Sequence, residues 1–245
     1  MFTKKILFII LIINFNFVYA GVKINHWITS EGSKVYFVKT DHLPILDITV
    51  SFKAGSARDN SSNNGVSSLT NHLMLMGSNG INEVDLANKF SDIGAQLGSG
   101  FDRDKSSFSL RTLKENQEKA IELFKLVLHK PNFNKAIMDR EKKKYLASIR
   151  QGETEPATIG SKAFMKTLYG NHPYGLPMSG TVDTIQKITS SQLKEFYENF
   201  YLSNQAAIVI VGDTDIKTAK DISSKISSSS VIGVLSLCLK IFLGL

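Results

Sequence analysis

Gly65-Val-Ser-Ser-Leu-Thr-Asn-His-Leu-Met-Leu-Met-Gly77 is the stretch on which the reading of this chain turns. Val66, Leu69, Leu73 and Met76 recur three or four residues apart, which gathers them into one apolar stripe on one face of an α-helix. Ser68, Asn71 and His72 fall on a neighbouring face, because positions three and four apart are adjacent on a helix surface. Residues 55–65 ahead of the helix are rich in Ser, Asn and Gly and read as a loop.

Upstream of that loop the pattern changes to period two. Strands are expected at 23–29 and 34–39, separated by a turn at Gly32-Ser33, and Leu43-Pro44 ends the second. Leu46, Ile48, Val50 and Phe52 alternate through 45–54, the mark of a half-buried strand. Downstream, Asn82 is placed to cap a helix over 83–93 with acidic residues in its first turn, and Gly94 to end it. Strands follow at 95–101 and 106–113, with the polar turn Asp102-Arg103-Asp104-Lys105 between them. A helix over 115–129 carries Ala120, Ile121, Phe124, Val127 and Leu128 at helical spacing, and Pro131 stops it. A long charged helix over 134–151 has Ile137, Tyr145, Leu146 and Ile149 as its expected inner face. Pro156 starts a helix to 169. A loop at 171–177, a helix at 190–200, an apolar run at 206–211 expected to be a buried strand, and an amphipathic helix at 216–226 complete the order. Three strands, two helices, two strands, several helices and a strand define an α+β protein, with helices packed on a mostly antiparallel sheet.

Composition narrows the class. The chain has 245 residues, 42% of them hydrophobic, and a net charge of +7, as expected of a globular domain. The lysines are scattered apart from Lys142-Lys143-Lys144. With no aromatic or Arg-rich groove signal beside it, that run reads as a solvated helix face, and no nucleic-acid partner is expected. Residues 1–20 have the shape of a secretory signal peptide. Lys4-Lys5 form its charged start, 6–18 its apolar run, and Val18-Tyr19-Ala20 its small-residue end. Export is therefore expected, to the periplasm in a bacterial cell, with an uncleaved membrane anchor as the alternative. Removing this segment takes the net charge from +7 to +5. Cys238 is the single cysteine, so neither an intrachain disulfide nor a cysteine metal site is available. Residues 229–245 form an apolar tail after a serine run, without the caps and polar face of earlier segments. Truncation or a frameshift is the preferred account, with a membrane anchor or a packed helix as alternatives.

Several separated motifs together resemble the insulinase/pitrilysin-type zinc metallopeptidases, the family of the mitochondrial processing peptidases. Ala54-Gly-Ser-Ala-Arg58-Asp59 is similar to the family's Gly-Ser-Arg-Asp loop, with one extra residue. The 65–77 helix, with its closing Met-Leu-Met-Gly, resembles the metal helix, whose motif is His-x-x-Glu-His. Ile93-Gly94-Ala95, the loop His172-Pro173-Tyr174-Gly175 followed by Gly180, and Ile208-Val-Ile-Val-Gly212-Asp213 resemble later landmarks. The likeness covers about 22–228 and implies one half, the N-terminal one, of an architecture whose two homologous halves close around a peptide.

The resemblance also implies which residues should carry the chemistry. It puts the first zinc histidine at Ser68, the general base at Asn71, the second histidine at His72 and the third ligand, a glutamate, at Ser148. A hydrolytic zinc needs three protein ligands and an open position for water, and serine hydroxyls are poor ligands beside imidazole and carboxylate. The base must take a proton from the bound water, and the neutral amide of Asn71 does not do so. Only His72 is retained, so no intact catalytic set and no zinc are expected on this chain. Glu141, seven positions before Ser148, is roughly 10 Å away along a helix axis and does not replace it in place. His72 is expected to be a leftover, partly buried polar residue, and His129 a helix-end residue interacting with the dipole. His172, Pro173, Tyr174 and Gly175 are expected to form a substrate or partner loop. Gly98-Ser99-Gly100 stands where the family has an Asn-Ala pair on the strand that meets substrate, which puts strand addition at that edge in doubt.

The resulting expectation is a catalytically inactive homologue of a secreted zinc peptidase. It would pair as a non-catalytic subunit with an active, zinc-carrying member in processing peptides or proteins. The alternatives are a non-enzymatic peptide-binding or envelope assembly module, a truncated gene remnant, and an active endopeptidase with a rebuilt site.

Overall fold

The computed structural model describes residues 22–228. The leader at 1–20, Cys238 and the tail at 229–245 lie outside the described residues. The strands are β1 (Asn25–Ile28), β2 (Lys34–Lys39), β3 (Ile45–Phe52), β4 (Gly77–Ser78), β5 (Ile81–Asn82), β6 (Gln96–Phe101), β7 (Ser106–Leu113) and β8 (Ala207–Gly212). The helices are α1 (Val66–Met74), α2 (Glu83–Asp92), α3 (Gln117–His129), α4 (Lys135–Gly152), α5 (Pro156–Tyr169), α6 (Val182–Lys187), α7 (Ser190–Phe200) and α8 (Ile216–Ser227).

Six strands make one sheet in the order β1-β2-β8-β3-β7-β6. All pairs are antiparallel except β2 with β8. The period-two reading of β3 holds, since Leu46, Ile48, Val50 and Phe52 are buried and the residues between them are not. The same alternation corrects the reading of β8. Ile208 and Ile210 are buried, but Val209 is 38% exposed. Helices cover one face of the sheet, and β8 turns its alternate side chains toward the other, so a continuous apolar run does not here mean a strand buried on both faces.

Local chemistry sets the element ends. Asn82 caps α2 by accepting from Asp85 N at 2.9 Å. Asn134 caps α4 by accepting from Ala136 N and Ile137 N. Three short elements carry no readable periodicity in the sequence. The hairpin β4–β5 closes over Asn79-Gly80, both at positive φ, and α6 begins with a capping box between Thr181 and Thr184. A two-residue strand and a six-residue helix are too short to show periodicity. The hairpin also shortens α1, which ends at Met74 and leaves Met76 outside the helix. The Lys142-Lys143-Lys144 run is not uniformly solvated. Lys142 donates to the carbonyls of Gln186 and Ile188 at the end of α6, and Lys144 to Glu141. His129 is corrected as well. Burial lowers its pKa to about 4, so the neutral ring, hydrogen-bonded to the Ile226 carbonyl at 2.7 Å, carries no charge for the helix dipole.

The start of α1 depends on a close backbone approach. Gly65 has φ +95 and Gly180 φ +78. A Cβ on Gly180 would lie 2.6 Å from the Asn64 carbonyl oxygen, and one on Gly65 2.6 Å from Ile185 Cδ1. Gly94, at φ +63, has open space around it. Gly94→Ala is expected to cost about 1 kcal/mol, the left-handed penalty alone. Gly180→Ala should cost that plus about 1–3 kcal/mol for the displaced backbone. Urea unfolding of both variants checks the ranking, and equal losses would contradict it.

Candidate functional site

Helix α1 begins at Gly65 with no side-chain cap of its own. Asp59 takes that part from the preceding loop. Its carboxylate accepts from Gly65 N at 2.7 Å, Ser67 N at 3.2 Å and Ser67 Oγ at 2.9 Å. Negative charge suits a helix N-terminus, yet burial raises the Asp59 pKa to about 6 against the lowering effect of these bonds. Asn64 Nδ2 donates to the Pro177 carbonyl at 2.9 Å, which ties the helix start to the segment after the His172 loop.

The polar face of α1 divides between two surroundings. Asn71 is buried and turned toward the sheet, with Nδ2 donating to Ser106 Oγ at 2.6 Å and to the Gly100 carbonyl at 3.4 Å. Ser106 Oγ also accepts from the buried Tyr201 hydroxyl at 2.9 Å. Ser68 and His72 face α4. Ser68 Oγ lies 3.3 Å from Tyr145 Oη, and His72 Nε2 lies 2.8 Å from Glu141 Oε2. The pairs 68 with 145 and 72 with 141 show that α1 and α4 run antiparallel along this contact. Tyr145 also packs its ring 5.4 Å from that of His72.

Glu141 is the charged residue whose partner the sequence does not reveal. It was measured against Ser148 on its own helix, whereas its partner is His72 on α1. Its side chain is 2% exposed and that of His72 31%. The inner face of α4 is accordingly Met138, Glu141 and Ile149, with the expected Ile137, Tyr145 and Leu146 only half-buried. Oε1 accepts from Arg140 Nε at 2.7 Å and Lys144 Nζ at 2.8 Å. Burial alone would raise the Glu141 pKa, but hydrogen bonds from Lys144, His72 and Arg140 outweigh it and hold the pKa at about 2.

Ser68, His72, Glu141, Tyr145, Ser148 and Ser179 line one cleft of about 290 Å³. Ser148 and Ser179 also line an adjoining cleft of about 550 Å³ between α4, α5 and the 175–180 segment. The structure therefore brings Ser68, His72 and Ser148 together, while Asn71 points into the sheet. The His172 loop stands to one side. His172 Nδ1 accepts from Tyr174 N at 3.2 Å, Tyr174 donates from its hydroxyl to Asp104, and Arg103 Nε donates to the Tyr174 carbonyl at 3.3 Å. These contacts pin the loop to the β6–β7 turn.

Zinc does not fit the donors present. Among the described residues no group of three or more His, Cys, Asp or Glu side chains is placed to hold a metal ion. The single imidazole of the cleft is engaged by a carboxylate that two cations already share.

The fold is an α+β domain with helices packed on a mostly antiparallel sheet, and α1 and α4 run antiparallel along their contact. The sequence profile of insulinase (peptidase family M16) matches residues 35–182, and the chain belongs to that family. The profile of the peptidase M16 inactive domain matches residues 187–230. The uncharacterized zinc protease YmxG of Bacillus subtilis is 21% identical over 210 residues, 86% of this chain and 51% of that protein. The non-peptidase homolog YmxG of Helicobacter pylori is 24% identical over 213 residues, 87% of this chain and 49% of that one. The crystal structure of a peptidase M16 inactive domain from Pseudomonas fluorescens superposes with a TM-score of 0.83 at 34% identity, covering 85% of this chain and 51% of that one. The chain thus spans about half the length of the relatives it matches.

The charge cluster around Glu141, Lys144 foremost, has a pH signature. The folded pKa of Glu141 is about 2 and the unfolded value 4.5. Its stabilisation is therefore fully present above 4.5 and is lost as pH falls toward 2. Glu141→Gln is expected to cost about 2 kcal/mol at pH 7, the scale of a buried charge-assisted bond. The gap to the unaltered protein should narrow between pH 4.5 and 2 in urea unfolding, and a gap that stays constant would contradict the assignment.

Proposed function

We propose that this chain is a catalytically inactive member of the insulinase family. In this reading it is a non-catalytic subunit that pairs with an active, zinc-carrying member and shapes the chamber in which peptides or proteins are processed. The observation that carries the reading is the state of the α1 polar face. Asn71, at the position the family uses for its general base, spends its amide on Ser106 and the Gly100 carbonyl. Ser68 and Ser148, at two ligand positions, offer only hydroxyls. His72 is held by Glu141.

The match to about half the length of the relatives fits one half of the family's two-half architecture. The Helicobacter pylori relative described as a non-peptidase homolog supports the loss of chemistry. Export, to the periplasm in a bacterial cell, belongs to the same proposal and rests on the leader pattern of 1–20. No helix among the described residues is long and apolar enough to cross a membrane.

Metal analysis and peptide hydrolysis on the purified chain test the proposal. The expected result is no stoichiometric zinc, no hydrolysis alone, and co-purification from its own cells with a family member carrying an intact His-x-x-Glu-His. One tightly bound zinc per isolated chain would overturn it.

A further inference from the structure

Asn-Gly occurs at 64–65 and again at 79–80. An asparagine followed by glycine has the least steric cover over the next peptide nitrogen, because glycine brings no Cβ. Both glycines take positive φ, +95 at Gly65 and +83 at Gly80. The fold treats the two pairs in opposite ways.

Asn64 is 1% exposed, and its amide donates to the Pro177 carbonyl at 2.9 Å. Gly65 N is committed to the Asp59 carboxylate at 2.7 Å, a buried bond assisted by charge. Asn79 and Gly80 instead form the exposed tip of the β4–β5 hairpin. Among the described residues no hydrogen bond is made by the Asn79 side chain. A Cβ built on Gly80 would meet nothing within 4 Å. Gly80 N donates to Asn132 Oδ1 at 2.9 Å, but that bond is exposed and neutral, so water replaces it at little cost. The hairpin is held by the pairs Gly77 with Asn82 and Ser78 with Ile81, and so short a ribbon opens readily.

We propose that Asn79 is a site of spontaneous modification, deamidating through a succinimide to isoaspartate with water as the co-reactant. Opening of the turn lets the Asn79 backbone rotate until Gly80 N reaches its Cγ. Gly80 N gives up its proton to hydroxide and bonds to that carbon. The side-chain nitrogen takes a proton from water and leaves as ammonia. Water then opens the ring. Attack at Cγ gives aspartate, and attack at the main-chain carbonyl gives isoaspartate, whose chain runs on through the side-chain carbon. No oxidant or reductant is needed.

Isoaspartate adds a methylene to the main chain inside a turn whose length sets the hairpin register. The turn lies between the end of α1 at Met74 and the α2 cap at Asn82. Asn132 is bonded to it through the Gly77 and Ile81 carbonyls. The modification therefore loosens the junction of α1 and α2. The inference does not rest on the loss of catalysis, and its test reads neither metal nor hydrolysis of substrate.

The full chain is incubated at neutral and at alkaline pH, digested in mild acid, and mapped by mass for replacement of an amide by an acid. Methyl acceptance by a protein isoaspartyl methyltransferase separates isoaspartate from aspartate. The Asn79 peptide should convert at least about tenfold faster than the Asn64 peptide, which reacts only after its buried bonds open. Conversion should quicken at the alkaline pH. Asn79→Gly, which keeps the positive φ, should abolish the methyl acceptance. Asn132→Ala should speed conversion at Asn79 and leave Asn64 unchanged. An Asn79 peptide that stays unmodified at both pH values, an Asn64 peptide that converts as fast, or methyl acceptance that survives Asn79→Gly overturns the proposal.

Discussion

The structure depends on one carboxylate. Glu141 sits between α1 and α4 with its side chain almost fully covered, and a covered charge is tolerated only where donors replace the water it lost. His72, Arg140 and Lys144 supply them. Because His72 is on α1 and the other two are on α4, the charge joins the helices as well as being satisfied by them. Arg140 carries the network on to Glu83 at the start of α2. Removing any one donor leaves the covered carboxylate short of a partner.

The rest of α1 is fixed by contacts of equal specificity. Asp59 holds its first turn and Asn71 ties its middle to β6 and β7 through Ser106. Val66, Leu69, Leu73 and Met74 fill the core. In the catalytic reading of this helix, its polar face serves a metal and a water molecule. Here Ser68, Asn71 and His72 each have a side-chain partner in the protein.

Much of this was legible in the sequence for a physical reason. Periodicity is imposed by burial, so β2 and β7 were read with their bounds, and β3 and α4 nearly so. Caps leave a chemical mark, so Asn82 was placed. Contacts between elements far apart in sequence leave no such mark. Glu141 was judged by its distance from Ser148 along its own axis, while its partner lay 69 residues away on α1. The outward side of Val209 was hidden by its apolar neighbours, and the neutral state of His129 by a burial that depends on α8. The Ser68, His72 and Ser148 positions came from likeness to a family, and their sharing of one cleft is a fact of the fold.

The central claim is that the helix pair kept its geometry while its ligand positions changed residue type. Restoring the two missing side chains tests it most directly. Ser68→His with Ser148→Glu, beside the native His72, supplies the three-ligand set a zinc site requires. Calorimetric titration with zinc should show about one ion bound per chain at micromolar or tighter affinity, against no comparable binding by the unaltered chain. A folded double variant that binds no zinc would contradict the claim, because it would mean that α1 and α4 do not hold those positions as a metal site needs them.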